Sequence, residues 1–193
     1  MRTMSLIPDF ELGLWNAWIL VIPVLIFSFV GYRILGKRGS GGVSGRTSKE
    51  KMLESIGMLV IFAFYAYSIF LPLKLGASWF YGGLLIYLLG MFVEFLAMLS
   101  FRNTSLDKPV TKGVYSVSRN PMYIGDFFVN IGISIACLSW IFLLLAITIA
   151  ILYSHSVANE ERICLNQYGD AYREYMNRTP RWIGIPKLKK TES

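Results

Sequence analysis

Cysteine and histidine are nearly absent from this 193-residue chain, which holds two of the first, Cys137 and Cys164, and one of the second, His155. Two cysteines in unrelated surroundings make neither a disulfide framework nor a zinc site, whose ligands come in fours at short spacing. A lone histidine with no Cys-His-Asp grouping near it argues against a multi-histidine metal centre and against a nucleophilic triad. Acidic residues are also scarce, 12 Asp and Glu against 19 Lys and Arg. The resulting charge of +7 admits nucleic acid, anionic lipid or an acidic substrate until the positions of the charges are read. No repeat with a period of roughly 20–50 residues is evident, which removes solenoids and arrays, and no inverted repeat of the kind many transporters carry stands out.

What the chain has in excess is apolar surface, at 54% of its residues, more than a soluble domain usually carries. A helix rising ~1.5 Å per residue needs about 20 apolar residues to cross a hydrocarbon core of roughly 30 Å. Leu12–Tyr32 carries no charge and opens a first span, taken over residues 12–35. Its length, Asp9 and Glu11 ahead of it, and the lack of a small-residue cleavage site argue against a signal peptide. Pro23 is expected to bend it. A second span covers 55–73 and ends at Pro72; a third covers 77–101, opened by the interfacial aromatics Trp79, Phe80 and Tyr81 and interrupted only by Glu94.

The fourth run, Phe127–Asn159, is roughly 50 Å long as one helix and short for two full crossings. Charge decides between them. Arg33, Lys37, Arg38, Arg46, Lys49 and Lys51 follow the first span, and Arg102, Lys108, Lys112 and Arg119 follow the third. Arg162, Arg173, Arg178, Arg181, Lys187, Lys189 and Lys190 follow the last run. A hairpin turning near Cys137-Leu-Ser-Trp140 puts 17 of the 19 basic residues on one side, with only Arg2 and Lys74 opposite. A single crossing would leave the basic tail outside, against the positive-inside bias.

The sequence therefore predicts a single all-α integral membrane domain over residues 1–193, with five transmembrane helices and no Rossmann domain. The last two form a hairpin over 124–158. A cytoplasmic connector covers 102–123, and a cytoplasmic C-terminal helical segment covers 159–193. The chain is expected to be multi-pass in the cell membrane, with its amino end outside and its carboxyl end inside. The positive charge is then topological, and neither nucleic acid nor a metal is expected as a partner.

Two glycine-rich stretches imitate nucleotide motifs. Gly31 to Lys37 has the spacing of a phosphate loop, but Arg38 stands where Ser or Thr would bind magnesium, and the stretch closes a membrane helix instead of following a strand. Gly39 to Gly45 approaches a dinucleotide fingerprint, yet Ser44 replaces the last glycine and no strand-helix frame surrounds it. A flexible linker is expected there.

Two other segments are more patterned than a connector requires. In Asp107–Gly125, Gly113 permits a turn, Pro121 suits the first turn of a helix, and Asn120 is a candidate N-cap. Helix starts leave free N–H groups that can hold a carboxylate or hydroxyl. A tight surface loop with interfacial Tyr115 and Tyr123 is the plain alternative. In Asn159–Trp182, Tyr168, Tyr172, Tyr175 and Met176 recur at helical spacing, as a packing stripe would, and Gly169-Asp170 is expected to interrupt the helix. Glu160 and Glu161 form a carboxylate pair where a membrane helix leaves the bilayer, and such a pair needs cations or ligand hydroxyls as partners.

Arg119-Asn-Pro-Met-Tyr-Ile-Gly125, with Gly113-Val-Tyr115 ahead of it, resembles the Arg-His-Pro-x-Tyr-x-Gly signature of the isoprenylcysteine carboxyl methyltransferases and their phospholipid methyltransferase relatives. Glu160-Glu161, Tyr168-Gly169, Tyr172, Tyr175 and Pro180-Arg-Trp182 are similar to that family's tail. The likeness runs from Asp107 to Trp182 and suggests a small prokaryotic member; the first three spans agree only in hydropathy. Asn120 stands where the family has His, and an amide cannot titrate near neutrality.

The resemblance implies S-adenosyl-L-methionine as methyl donor, with S-adenosyl-L-homocysteine as product, and a prenylated or other lipid-like acceptor drawn from the membrane lipids. It implies a donor site made by Lys108, Pro109, Val110, Tyr115, Asn120, Pro121, Met122, Tyr123, Glu160 and Glu161. Within it, Glu160 would hold ribose hydroxyls or the amino group, and Tyr115 and Tyr123 would pack on adenine or the methionyl arm. Arg119 and Asn120 would be the catalytic pair, with Arg119 serving either an acceptor carboxylate or a lipid phosphate.

Carboxyl methylation of an isoprenylcysteine is the specific expectation, and N-methylation of a phospholipid amine the next. Arg119 to Asp126 also resembles the Arg-x-x-x-Tyr-x-Gly-Asp pattern of NADPH-dependent sterol reductases, which carry more membrane helices. A non-enzymatic adaptor or transporter is the remaining alternative. Glu94 is either a functional group at membrane depth or the partner of a basic residue on a neighbouring helix. His155 is expected to make a helix-packing hydrogen bond rather than to touch substrate.

Overall fold

The computed structural model describes residues 12–39, with backbone alone over 34–39, and 47–184. Among these residues the chain forms six α-helices: α1 (Trp18–Gly39), α2 (Ser48–Ser68), α3 (Ser78–Arg102), α4 (Pro121–Cys137), α5 (Trp140–Tyr168) and α6 (Asp170–Arg178), with a 3-10 turn at Gly113–Ser116 in the connector. Three of them, α2, α3 and α5, are long and apolar enough to cross a membrane, whereas Trp18–Arg33 of α1 and all of α4 are shorter apolar helices. At ~1.5 Å per residue α4 extends roughly 26 Å. The phosphate-loop imitation, Gly31 to Lys37, is simply helical. The linker over 40–46, the basic residues beyond 184 and Arg2 lie outside the described residues.

Three boundaries of α1 and α2 differ from those read off the apolar runs, each for an identifiable reason. Helix α2 begins at Ser48, not 55, because Thr47 and Glu50 form a capping box: Glu50 N–H donates to Thr47 Oγ1 (3.3 Å) and Thr47 N–H to Glu50 Oε2 (2.8 Å). It ends at Ser68, and α1 starts at Trp18, because the intervening chain is taken up by a backbone pairing. Ala17 N–H donates to Leu71 O (2.8 Å) and Leu73 N–H to Trp15 O (2.9 Å), around an isolated bridge between Asn16 and Pro72.

The chain reverses between α4 and α5 where the charges placed a turn. Leu138 takes a left-handed conformation (φ 53°) and Ser139 caps α5, its Oγ accepting from Phe142 N–H at 3.3 Å. Helix α5 then continues to Tyr168, past the expected end at 158, so Glu160 and Glu161 sit on a helix that began in the hairpin. Gly169 (φ 56°) stops it, as expected.

The tightest packing is between α3 and α4. Gly83 and Gly90 of α3 oppose Gly132 and Gly125 of α4. A Cβ at Gly83 would lie 2.6 Å from Gly132 O, and one at Gly90 would lie 2.6 Å from Gly125 O. Lipid tails give apolar side chains no hydrophobic incentive to associate, so close backbone approach through small residues is what holds such a pair. Around this seam Phe64 of α2 stacks on Phe142 of α5 with centroids 3.8 Å apart, and the buried Tyr87 hydroxyl donates to Leu20 O at 2.9 Å, tying α3 to α1. A second buried cluster, Ala97, Val110, Tyr115, Tyr172 and Tyr175, joins α3 and the connector to α6.

Candidate active site

The connector and the chain after α6 are sewn together. Arg119 N–H donates to Pro180 O (3.0 Å), and Ser118 Oγ and Asn120 Nδ2 both donate to Arg181 O (3.3 and 2.9 Å). Asn120 is therefore not the side-chain cap expected of it: no capping hydrogen bond is made, and its amide instead holds the strap Thr179–Arg181. Pro121 occupies the first helical turn, as its fixed φ and missing N–H favour.

Glu161 locks this arrangement. Its Oε2 accepts from Arg181 Nε at 3.0 Å and from Arg181 Nη2, while Arg119 Nη2 lies 3.2 Å from Oε1 as an ion pair without hydrogen-bond alignment. The Glu161 side chain is 4% exposed and that of Arg119 9%. Tyr175 adds a further tie, its hydroxyl donating to Tyr115 O at 2.7 Å. Burial raises the Tyr115, Tyr172 and Tyr175 phenols above their ordinary range, so all three stay neutral donors.

Under this strap lies a cavity of about 510 Å³ walled by α1, α3, the connector, α4, α5 and α6. Of the residues predicted for the site, Pro109, Val110, Tyr115, Arg119, Asn120, Met122, Tyr123 and Glu160 line it. Three do not: Lys108 is exposed, Pro121 is buried at the helix start, and Glu161 is buried among the arginines. Neighbours on a helix diverge by about 100°, and that separates the two glutamates. Glu161 faces the strap and Glu160 the cavity, where the Tyr123 hydroxyl donates to its Oε1 at 2.5 Å.

The cavity continues past the predicted residues toward the opposite end of the bundle, where Glu94 (α3), Asp126 (α4) and Tyr153 (α5) line it with Phe27 and Ser28 of α1. Asp126 accepts from Asn130 Nδ2 at 2.9 Å and is bonded to the Tyr153 side chain. Glu94 is buried and, among the described residues, has no basic partner and accepts no hydrogen bond. His155, by contrast, is exposed on α5 and lies outside the cavity. Three carboxylates thus line the cavity, against one cation among its described lining residues, Arg119, which Glu161 already engages.

Residues 79–171 match the family model described as phospholipid methyltransferase. No curated protein matches the chain significantly. The matched stretch runs from the start of α3 into α6. It therefore includes the third span, where the sequence motifs showed only hydropathy, and stops short of Tyr172, Tyr175 and Pro180-Arg-Trp182. It supports a membrane methyltransferase of the lipid and isoprenylcysteine class.

Proposed function

We propose that the protein is an S-adenosyl-L-methionine-dependent methyltransferase acting on a lipid-borne amine. The observation that carries this reading is one cavity with two unlike ends: a polar connector end ringed by Tyr115, Tyr123 and Glu160, and a deeper end between apolar helices with Glu94 and Asp126. The donor brings an electrophilic methyl group on a sulfonium and a net positive charge. A carboxylate-rich cavity suits it, with Glu160 at its ribose hydroxyls or amino group, aromatic rings on adenine and the methionyl arm, and Pro109, Val110, Asn120 and Met122 around them. Positioning and exclusion of water then contribute much of the catalysis, since the reactive methyl comes with the donor, while an amine acceptor must also lose a proton.

The acceptor follows from charge. A carboxylate acceptor entering among three carboxylates would find its one cation taken by Glu161, whereas an ammonium would find partners. Carboxyl methylation of a prenylated cysteine keeps one supporting observation, since Arg119 Nε is buried with no hydrogen-bond partner and could serve an acceptor carboxylate. In this reading the chain crosses five times, with the short α1 and α4 meeting a thinned bilayer. The connector, strap and donor site face the cytoplasm, and the amino end lies outside.

Titrating the protein with S-adenosyl-L-homocysteine in a calorimeter tests donor binding, which a transporter, an adaptor or an NADPH-dependent reductase would not show. Glu160→Gln should weaken that binding by roughly 1.5–3 kcal/mol, one charged contact; unchanged affinity removes Glu160 from the site. Labelled donor offered with phosphatidylethanolamine or with a farnesylcysteine then separates the amine from the carboxylate.

A further inference from the structure

Beyond the donor site, we infer that Glu94 is the proton acceptor that activates the amine, with Asp126 beside it holding the incoming ammonium; this rests on the amine reading above. An amine reaches the site as an ammonium, which has no lone pair to attack with, so one proton must leave before the methyl group can be accepted. The cavity offers few groups to take it. Tyr115 and Tyr172 are neutral phenols held so by burial. Glu161 is enclosed by two arginines. Glu160 is engaged by Tyr123 at the connector end.

Glu94 differs from all of these. It is 7% exposed, lines the cavity, and has no hydrogen-bond partner among the described residues, so its carboxylate has no internal function that the fold explains. A polar group so placed carries a desolvation cost that a ligand would relieve. It lies about two helical turns inside the connector end of α3, roughly 12 Å, where the head of a lipid would sit with its tail against the apolar faces of Phe27 and Met98. Asp126 is fixed in place by Asn130 and Tyr153, as an anchoring group should be, whereas Glu94 is held by none.

In the step itself an N–H bond of the ammonium breaks and an O–H bond forms on Glu94. The freed lone pair makes the new N–C bond as the donor's S–C bond breaks, its electron pair remaining on sulfur. The product is again an ammonium, and the proton on Glu94 passes to water once the product leaves.

The test uses the full chain in lipid nanodiscs with labelled donor and phosphatidylethanolamine. Glu94→Gln should lower kcat by roughly 10²–10⁴-fold, the range for losing a positioned base, while S-adenosyl-L-homocysteine binds within about threefold of the parent. Its remaining rate should climb with pH as the free amine fraction grows. The titratable groups facing Glu94 are Asp126 from α4, Tyr65 from α2, Tyr87 from α3 and Tyr153 from α5, and none of them restores the parent profile.

A lipid with an aminooxy head, largely unprotonated at neutral pH, should erase most of the deficit. Glu94→Asp, which keeps the carboxylate but shortens the stem, should outperform Glu94→Gln even though it disturbs packing more. Equal losses on both lipids, or Glu94→Asp no better than Glu94→Gln, would overturn the assignment while leaving the amine reading intact. A parent protein that methylates farnesylcysteine and no amine would overturn both.

Discussion

Gly82 and Gly83 are neighbours in α3, and the same substitution at the two should have opposite signs. A Cβ at Gly82 meets nothing within 4 Å, so Gly82→Ala gains only the helix preference of alanine, about 0.8–1 kcal/mol. A Cβ at Gly83 would stand 2.5 Å from Ala136 N, 2.6 Å from Gly132 O and 2.9 Å from Ala136 Cα. All three atoms are backbone, which cannot swing aside as a side chain can, so α3 and α4 must part locally by roughly 1 Å to restore ordinary contact distances.

Overpacking of this kind costs about 1–3 kcal/mol. The upper end applies here, because the Gly90–Gly125 approach further along the same pair resists the opening. Net of the propensity gain, Gly83→Ala should lose about 1–2 kcal/mol while Gly82→Ala holds or gains. The gap between them corresponds to roughly 5–10 °C in Tm for a chain of this size. Thermal unfolding followed with a thiol-reactive fluorophore in a Cys164→Ser background suits the question, because Cys137, next to Ala136 in the seam, is 2% exposed and reacts only when α4 comes away, whereas Cys164 is only half-buried. A Gly83→Ala protein that melts at or above Gly82→Ala would refute the seam.

Two further substitutions probe the strap. Glu161→Gln leaves the buried guanidinium of Arg119 and the half-exposed one of Arg181 without their carboxylate; with only the Arg119 pair buried, the loss should fall near the low end for breaking a buried pair, about 3 kcal/mol. It should lower both Tm and S-adenosyl-L-homocysteine affinity, whereas loss of affinity with Tm unchanged would place Glu161 in the donor site after all. Gly169 sits at φ 56°, ψ −127°, a region open essentially to glycine alone. Gly169→Ala should therefore cost about 1–3 kcal/mol although no atom lies within 4 Å of its Cβ position; a neutral result in the same melting assay would show that α6 can dock through another turn.

Local signals were legible where the chemistry is local. The break at Gly169 depends on a few consecutive residues and lies where the sequence put it, and Pro121 opens α4 as its fixed φ suggests, three residues ahead of the expected hairpin start at 124. The reversal at Leu138–Ser139 instead followed from the charges along the whole chain. Asn120 was misread as a cap because the carbonyl it serves, Arg181 O, is 61 positions away. The start of α2 was misplaced because a search for charge-free runs discards Lys49, Glu50 and Lys51, although Glu50 is the residue that caps the helix. Glu160 and Glu161 are equivalent on paper; only the helical turn between them, with connector and cavity on different sides, gives them different work. The deep acids were the largest omission. In the sequence Glu94 reads as either a functional group at membrane depth or the partner of a basic residue, and Asp126 only as the end of a reductase-like motif, since nothing local shows that they meet.

The signal that brings them together was present as glycine spacing. Gly83 and Gly90 on one helix and Gly125 and Gly132 on the next share an interval of two turns, which is what two antiparallel backbones need to touch at two points. Gly125 supplies both consequences. A Cβ there would lie 2.6 Å from Glu94 Cγ, so its absence lets the Glu94 stem lie across α4, and the very next residue is Asp126. Two carboxylates drawn together in an apolar layer repel, and the layer offers little water to screen them. Short of sharing a proton, they persist only if the frame opposing their separation is stiff, or if a cationic guest occupies the space between. The α3–α4 seam provides the first condition from backbone contact alone, which leaves the pair ready for the second.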